Sequence, residues 1–379
     1  MRNNILVIYP YFAPAQKAGG VVSSLVNLVI ALKEYNFFVI TTNTDLDGSV
    51  LEGVTPNIWC NFGTNCEVLY YNKNARIDYR AIAQEKSIST VYINGIYGYT
   101  FFVKPLLELN KWKYNEGNQI IISPRGMIQK GSLSIKPFKK KVYFGLLNLL
   151  LLFRNIKWHS TDKQEDIDIR EFFNTNLVTL AKDSPSNTPS FLSKQNYRQD
   201  GIVRLIFLSL ITEKKNLLFL LKLLNDNKPQ NVQLDIHGPI KDSGYWQDCL
   251  KLINNNNHFI SYKGEAPTSE VCAIINSYDY LVLPTLGENF GHVIFESLTA
   301  GTPVLISEFT PWKELETNGV GWNLVLDENV WLEKINNLSK ISKDEYLKMS
   351  CNCHKHIIDF IDKYNPEKAY FQLFSNNKQ

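Results

Sequence analysis

Two carboxylates eight residues apart, Glu288 and Glu296, flank a glycine in the stretch Glu288-Asn-Phe-Gly-His-Val-Ile-Phe-Glu296, which continues Ser-Leu-Thr-Ala-Gly-Thr-Pro-Val-Leu-Ile. An apolar run, Tyr280 to Pro284, leads directly into it. The pattern is that of a strand, a glycine-bearing loop, a helix, a glycine stop at Gly301 and a second strand, with Leu281–Pro284 as a buried parallel strand. Gly287 and Gly291 allow the backbone to turn tightly and approach a ligand closely. The helix is expected to begin near Gly291 or His292. The first N–H groups of a helix have no partner within it, so they form a ready anion site. Glu288 lies in the loop and Glu296 more than a turn into the helix, so the acids can face different parts of one elongated ligand. Phosphate on the N–H groups and hydroxyls on the acids would suit a sugar–diphosphate–nucleoside. The plain alternative is an ordinary βαβ turn with two solvated glutamates.

The elements around this stretch repeat one theme. Ile5–Tyr9 reads as a strand, Tyr11–Gly20 as a loop, Val21–Tyr35 as a helix with apolar residues at Val22, Leu25, Val26, Val29 and Leu32, and Phe37–Thr42 as a second strand. That is a βαβ unit opening a doubly wound sheet, and ligands bind outside the carboxyl ends of such strands. Further strands are predicted at Val68–Tyr71, Thr90–Ile93 and Gln119–Ser123. Phe191–Gly201 is polar and irregular and reads as a linker. The pattern then restarts: strands at Val203–Ser209, Val232–His237, Phe259–Lys263, Tyr280–Pro284 and Pro303–Ile306 alternate with helices at Asn216–Leu224, Tyr245–Ile253, Ser269–Ser277 and Val293–Thr299. Neither half has Gly-x-Gly-x-x-Gly after its first strand, which argues against a dinucleotide cofactor.

The chain of 379 residues is long for one core, so two domains are expected. Its 44% hydrophobic and 20% charged residues are those of a soluble globular protein, and a net charge of +3 lacks the basic excess of a nucleic-acid binder. Six cysteines show no zinc spacing, Cys351-Asn-Cys353 being too tight, so no metal site is expected. The N-terminal apolar run stops at Pro10, too short for a signal peptide. Reduced thiols and a cytoplasmic location are therefore expected.

The match from Pro284 through Pro303, with Glu288, Phe290, Gly291, Glu296, Ala300, Gly301, Thr302 and Pro303, resembles the signature of the family 4 glycosyltransferases, which have the GT-B fold. The resemblance implies an α/β chain: two Rossmann-like domains with parallel doubly wound sheets facing across a cleft. It places an acceptor domain at 1–195, a nucleotide-sugar donor domain at 200–355, and a C-terminal helix at about 358–375 packing back on the first. It also implies a retaining transfer from a nucleotide diphosphate sugar, UDP- or GDP-linked, with neither metal nor cofactor, to a saccharide or lipid-linked saccharide, as in bacterial surface-polysaccharide assembly.

Residue by residue, the resemblance gives Glu288 the sugar hydroxyls near the reacting carbon and Glu296 the ribose hydroxyls. In the family an Arg and, five positions later, a Lys grip the diphosphate. Lys215 matches the Lys, but Leu210 stands at the Arg position, leaving Lys214 or Arg204 as substitutes. Ser209, Asn289, Phe290 and Gly291 belong to the same donor set. His237-Gly238-Pro239 and Lys263-Gly264 end strands where relatives bring main chain to the nucleotide. Gly19-Gly20 resembles the glycine loop near the transferred sugar. Arg125, in Ser123-Pro-Arg-Gly-Met127, would project into the cleft and hold a donor or acceptor oxygen, or else is a buried structural Arg. Asn94-Gly95 lacks the His that relatives often have there. Thr161 would cap a helix with Glu165 in its first turn, behind a structural His159.

Lys136, Lys139, Lys140, Lys141, Arg154 and Lys157 bracket Val142–Phe153, an apolar run too short to cross a bilayer, which needs roughly 20 residues. It reads either as a core helix with basic ends or as a peripheral contact with the inner face of a membrane. Two other functions stay open: a nucleotide-sugar-binding protein weakened or inactivated by Leu210, and a GT-B nucleotide-sugar epimerase.

Overall fold

The computed structural model describes residues 3–72, 75–128, 137–150, 152–183, 191–192, 194, 201–254, 259–363 and 366–375. Most of the expected linker 191–201 lies outside them. The chain divides into two units, Met1–Ser184 with Asn365–Gln379, and Pro185–Tyr364.

The first unit runs β1 (Asn4–Ile8), α1 (Gly20–Ala31), β2 (Asn36–Thr42), β3 (Trp59–Asn61), β4 (Cys66–Tyr71), α2 (Tyr79–Glu85), β5 (Thr90–Asn94), a π-turn at Tyr99–Val103, α3 (Lys104–Glu108), β6 (Gln119–Ser123), α4 (Pro137–Leu149), β7 (Ile156–Ser160), α5 (Lys163–Phe173) and β8 (Val178–Leu180). Its sheet has the order β3-β4-β2-β1-β5-β6-β7-β8. The named pairs are parallel except β3–β4 at the edge. Ile5, Leu6, Val7 and Ile8 of β1 are fully buried, as a central parallel strand covered on both faces requires. The strand order reverses between β1 and β5, so the loops after these strands, Tyr11–Gly19 and Asn94–Gly95, flank the switch point where such sheets bind ligands.

The second unit runs β9 (Val203–Leu208), α6 (Leu217–Asn227), β10 (Val232–His237), α7 (Ser243–Asn254), β11 (Ile260–Gly264), α8 (Val271–Asn276), β12 (Tyr280–Leu283), α9 (His292–Thr299), β13 (Val304–Ser307), β14 (Gly321–Leu324), α10 (Glu328–Leu338) and α11 (Lys343–Lys363). Its sheet is parallel with the order β11-β10-β9-β12-β13-β14. Here the switch point lies between β9 and β12. Leu217, Leu220, Leu221 and Leu224 make α6 an apolar stripe that closes the core on one side. Lys194 holds the start of the unit: its ammonium donates to the carbonyls of Asn276 (2.7 Å) and Tyr278 and to Thr302 Oγ1 (3.0 Å), and burial pushes its pKa down to about 8.

The stretch expected as one helix at 358–375 is two helices. Residues to Lys363 belong to α11 of the second unit, and α12 (Pro366–Phe374) belongs to the first. Tyr370, Leu373 and Phe374 of α12 are at most 1% exposed, and Phe374 meets the rings of Tyr35, Phe37 and Tyr92. Gln119 Nε2 donates to the Phe374 carbonyl at 2.8 Å and Lys157 Nζ to that of Leu373 at 2.6 Å. These donors take up carbonyls that the end of α12 leaves unpaired.

Candidate active site

The carboxyl ends of β9, β10, β11 and β12 bring most of the predicted donor residues onto one end of the second sheet. After β9, Ser209 N–H donates to the His237 carbonyl (3.1 Å) and Ile211 N–H to that of Pro239 (2.9 Å). Gly238 lies between, with φ 136°, and a Cβ there would sit 1.9 Å from the Ser209 carbonyl oxygen. Only glycine permits this approach of the β9 and β10 loops. Gly238 N–H donates to the Gly264 carbonyl at 2.9 Å, and Tyr262 OH to that of Gly238 at 2.9 Å.

The loop after β12 is anchored on the β9 side. Leu286 N–H donates to the Lys214 carbonyl at 2.8 Å, and Thr285 Oγ1 to the same oxygen at 3.2 Å. Ser307 Oγ donates to the Thr285 carbonyl at 2.5 Å, and Glu288 N–H to that of Phe309 at 3.0 Å. Glu213–Lys215 is a short 3-10 turn ended by Asn216 in the left-handed region, φ 57°. That turn aims Lys215 at the loop, where its ammonium pairs with Glu288 Oε1, the side chains being 19% and 11% exposed. Two predicted catalytic groups, 73 residues apart, are thus in contact. Leu210, five residues before Lys215, is half-buried.

Gly291, φ 77°, precedes α9, whose first turn carries no side-chain cap. Phe290 is 5% exposed, packs against Phe295 and Trp312, and has its carbonyl bonded by Trp312 Nε1 at 2.6 Å. Its ring therefore anchors the helix start, where Asn289 is half-buried and Gly291 buried. Glu296, one turn on, is partly buried, and burial pushes its carboxyl up to about 7. At neutral pH it populates both forms, the neutral one donating and accepting, the ionised one accepting only.

His237 was expected to offer backbone, but its ring also belongs to a network. Tyr278 OH donates to Asp235 Oδ2 (2.9 Å), which leaves the Tyr278 oxygen to accept from His237 Nε2 (3.3 Å). The imidazole is 8% exposed, its pKa lowered first by burial, and Nδ1 then carries a lone pair without a protein partner. The sequence held no local sign of this, because Asp235 and His237 share β10 whereas Tyr278 comes from the turn before β12, 41 residues on.

In the first unit Gly19 and Gly20 are exposed, Gly19 with φ 81° and nothing within 4 Å of an added Cβ. The loop before them is held by Asp45, whose carboxylate accepts from Gln16 N–H (2.8 Å) and Lys17 N–H (3.2 Å). Arg125 does not project as expected. Its side chain is 2% exposed and pairs with Asp183, while Nε donates to Asn94 Oδ1 (2.9 Å) and Nη2 to Tyr92 OH (3.0 Å). Each of the three guanidinium nitrogens thus has a protein partner. Tyr92 OH donates in turn to His159 Nδ1 (2.7 Å), whose Nε2 donates to the Ala181 carbonyl (2.6 Å). Burial, then Arg125, lowers the His159 pKa to about 3, so the ring is neutral and structural. The cap of α5 is Asp162 rather than Thr161. Thr161 instead donates through N–H and Oγ1 to the buried Glu165, which also accepts from Gly126 N–H at 2.6 Å.

Residues 191–356 match the family model described as Glycosyl transferases group 1. A curated relative, the uncharacterized glycosyltransferase 335 of Sulfolobus islandicus rod-shaped virus 1, is 23% identical over 183 residues, 45% of this chain and 51% of that protein. The chain thus spans about half the length of the curated relative it matches. Among solved structures, a sucrose-phosphate synthase from Thermosynechococcus elongatus is similar with a TM-score of 0.73 at 13% identity, over 98% of this chain and 97% of that one. HepE of Anabaena, in complex with UDP and glucose, is similar with a TM-score of 0.65 at 12% identity, over 97% of each chain. The chain has the GT-B fold, and its second unit matches the group 1 glycosyl transferases.

Proposed function

We propose that the protein is a glycosyltransferase that binds a nucleotide diphosphate sugar on its second unit and passes the sugar, with retention, to a saccharide or lipid-linked saccharide. The observation that carries this reading is the pairing, at the switch point of the second sheet, of Lys215 with Glu288 on the glycine-bearing loop that leads into the uncapped start of α9, the helix that carries Glu296. In this reading Lys215 and the first N–H groups of α9 meet the diphosphate and stabilise its charge as it leaves. Glu288 binds sugar hydroxyls near the reacting carbon, and Glu296 the ribose hydroxyls. The main chain at Gly238 and Gly264 faces the nucleotide, and Ser209 and Asn289 complete the donor set. Charge is met without a divalent metal. The capture of HepE with UDP and glucose agrees with this assignment for a protein of the same fold. A cytoplasmic role in surface-polysaccharide assembly rests on the family resemblance alone.

Leu210 supports a second reading, in which the protein binds a nucleotide sugar and transfers slowly or not at all. Removing one preorganised donor costs about 2.7–4 kcal/mol of transition-state stabilisation, and a leucine at the family's arginine position removes one. Thermal-shift measurements with UDP, GDP, ADP and their sugars separate the readings, followed by nucleotide release with candidate acceptors. A ligand at about 100 times its Kd raises stability by about 2.7 kcal/mol. Stabilisation with release supports transfer, stabilisation without release supports the second reading, and no stabilisation by any nucleotide refutes both.

A further inference from the structure

At its carboxyl end β10 faces a bulge in its neighbour. Ile236 pairs with Tyr262 and His237 with Gly264, so Lys263 is the extra residue of β11. A bulge re-aims a side chain, and Lys263 Nζ comes 3.5 Å from Asp235 Oδ1 on β10. The other oxygen of that carboxylate, Oδ2, accepts from Tyr278 OH at 2.9 Å, and the phenol oxygen lies 3.3 Å from His237 Nε2.

Each link fixes the next. An ionised carboxylate only accepts, so the phenol hydrogen points at Asp235. Burial, then Asp235, raises the Tyr278 pKa, which keeps that hydrogen in place. The phenol oxygen is left to accept, so the imidazole carries its hydrogen on Nε2 and a lone pair on Nδ1. His237 is 8% exposed, and Nδ1 has no hydrogen-bond partner among the described residues. Buried polar groups are rarely left so. His237 ends β10 in register with Leu208 and Gly264, the last residues of β9 and β11. These are the strand ends to which the donor reading assigns the nucleotide.

We propose that His237 is a specificity-determining residue whose Nδ1 reads the base of the donor, accepting from the ring N–H of a keto base, N3–H of uracil or N1–H of guanine. This rests on the donor reading and adds the chemistry of the base to it. At the same ring position cytosine and adenine carry a lone pair, which Nδ1 repels. Asp235 and Tyr278 are positioning residues: they decide which kind of hydrogen bond the imidazole can make.

Calorimetric titration of UDP, GDP, CDP and ADP into the full chain tests this. The wild type should bind UDP and GDP about thirtyfold tighter than CDP and ADP, the loss expected when a buried acceptor stays unpaired. In Asp235→Asn the amide oxygen stays with Lys263 and the amide N–H groups face the Tyr278 oxygen. The phenol then donates to Nε2, and the imidazole hydrogen moves to Nδ1. That variant should melt like the wild type and erase or invert the preference. His237→Phe should bind the four nucleotides alike; where it does not fold, Asp235→Asn decides. A purely structural relay would shift all four affinities together and leave their ratio in place. Equal binding of the four by the wild type, a preference for CDP and ADP, or a wild-type ratio in Asp235→Asn overturns the base assignment and leaves the donor reading standing. Binding of none of the four overturns both.

Discussion

Replacing Glu288 by Gln should tighten the binding of a nucleoside diphosphate, although it removes a residue assigned to the donor site. The Lys215 ammonium is neutralised by Glu288, both side chains being largely buried. A diphosphate reaching Lys215 must share it with, or take it from, that carboxylate. Two like charges about 4 Å apart repel by about 4 kcal/mol at an effective dielectric near 20, an upper bound here. A charge-assisted hydrogen bond of the kind Lys215 gives Glu288 contributes about 1.5–3 kcal/mol, and Gln keeps part of it. The net gain for UDP or GDP is set at about 1.4 kcal/mol, or tenfold in Kd. Calorimetric titration of the sugar-free diphosphates into wild type, Glu288→Gln, Lys215→Met and the double variant measures it. Glu288→Gln should bind about tenfold tighter. Lys215→Met should bind weaker, and the double variant should recover part of that loss, because in Lys215→Met the carboxylate is left unpaired to repel the diphosphate. Sugar transfer by Glu288→Gln should fall even so. If the variant binds UDP and GDP no better than the wild type while the wild type does bind them, the reasoning about the pair is wrong.

The raised carboxyl of Glu296 makes two further tests pH-dependent. Its pKa of about 7 lies above the ordinary carboxylate range, so this group's contribution to stability is full at low pH and is lost as pH rises through about 7. Thermal melts should therefore fall over that window and flatten in Glu296→Gln. UDP affinity should rise over the same window as the ionised acid becomes able to accept from both ribose hydroxyls, and Glu296→Gln should abolish that slope; an unchanged slope would remove Glu296 from the ribose site. In the first unit, Arg125→Met leaves the Asp183 carboxylate buried without its guanidinium and should cost about 3–5 kcal/mol in denaturant titration, with most of it recovered by adding Asp183→Leu. A variant that melts like the wild type but loses turnover would restore Arg125 to a catalytic role.

The elements that were legible from sequence are those whose own apolar runs decide them. Val232–His237 and Gln119–Ser123 were read with the bounds they have, the first because Val232, Leu234 and Ile236 alternate with polar residues and the second because Ile120–Ile122 is a continuous apolar run. The glycine turn and helix start at Gly291 were legible for a similar reason, since both are local features of the chain. The contacts that decide roles were not. Arg125 meets Asp183 across 58 residues. Strand β7 hid behind Lys157, a charge inside Ile-Lys-Trp-His-Ser that becomes reasonable only once its ammonium is seen on the carbonyls of α12. Helices α10 and α11 have charged faces interleaved with Trp331, Ile335, Tyr346 and Ile357, and only the sheet they cover shows which side is the core.

Helix α12 has a consequence for the order in which this protein can be made. Its Tyr370, Leu373 and Phe374 fill the core of a unit whose other strands and helices are all translated before residue 185. On the ribosome the first half must wait, with the rings of Tyr35, Phe37 and Tyr92 short of their cover, while every strand of the later sheet is synthesised. The half encoded second is thus the first able to complete its interior, and a chain released before residue 366 would leave the earlier half open as a target for chaperones and proteases.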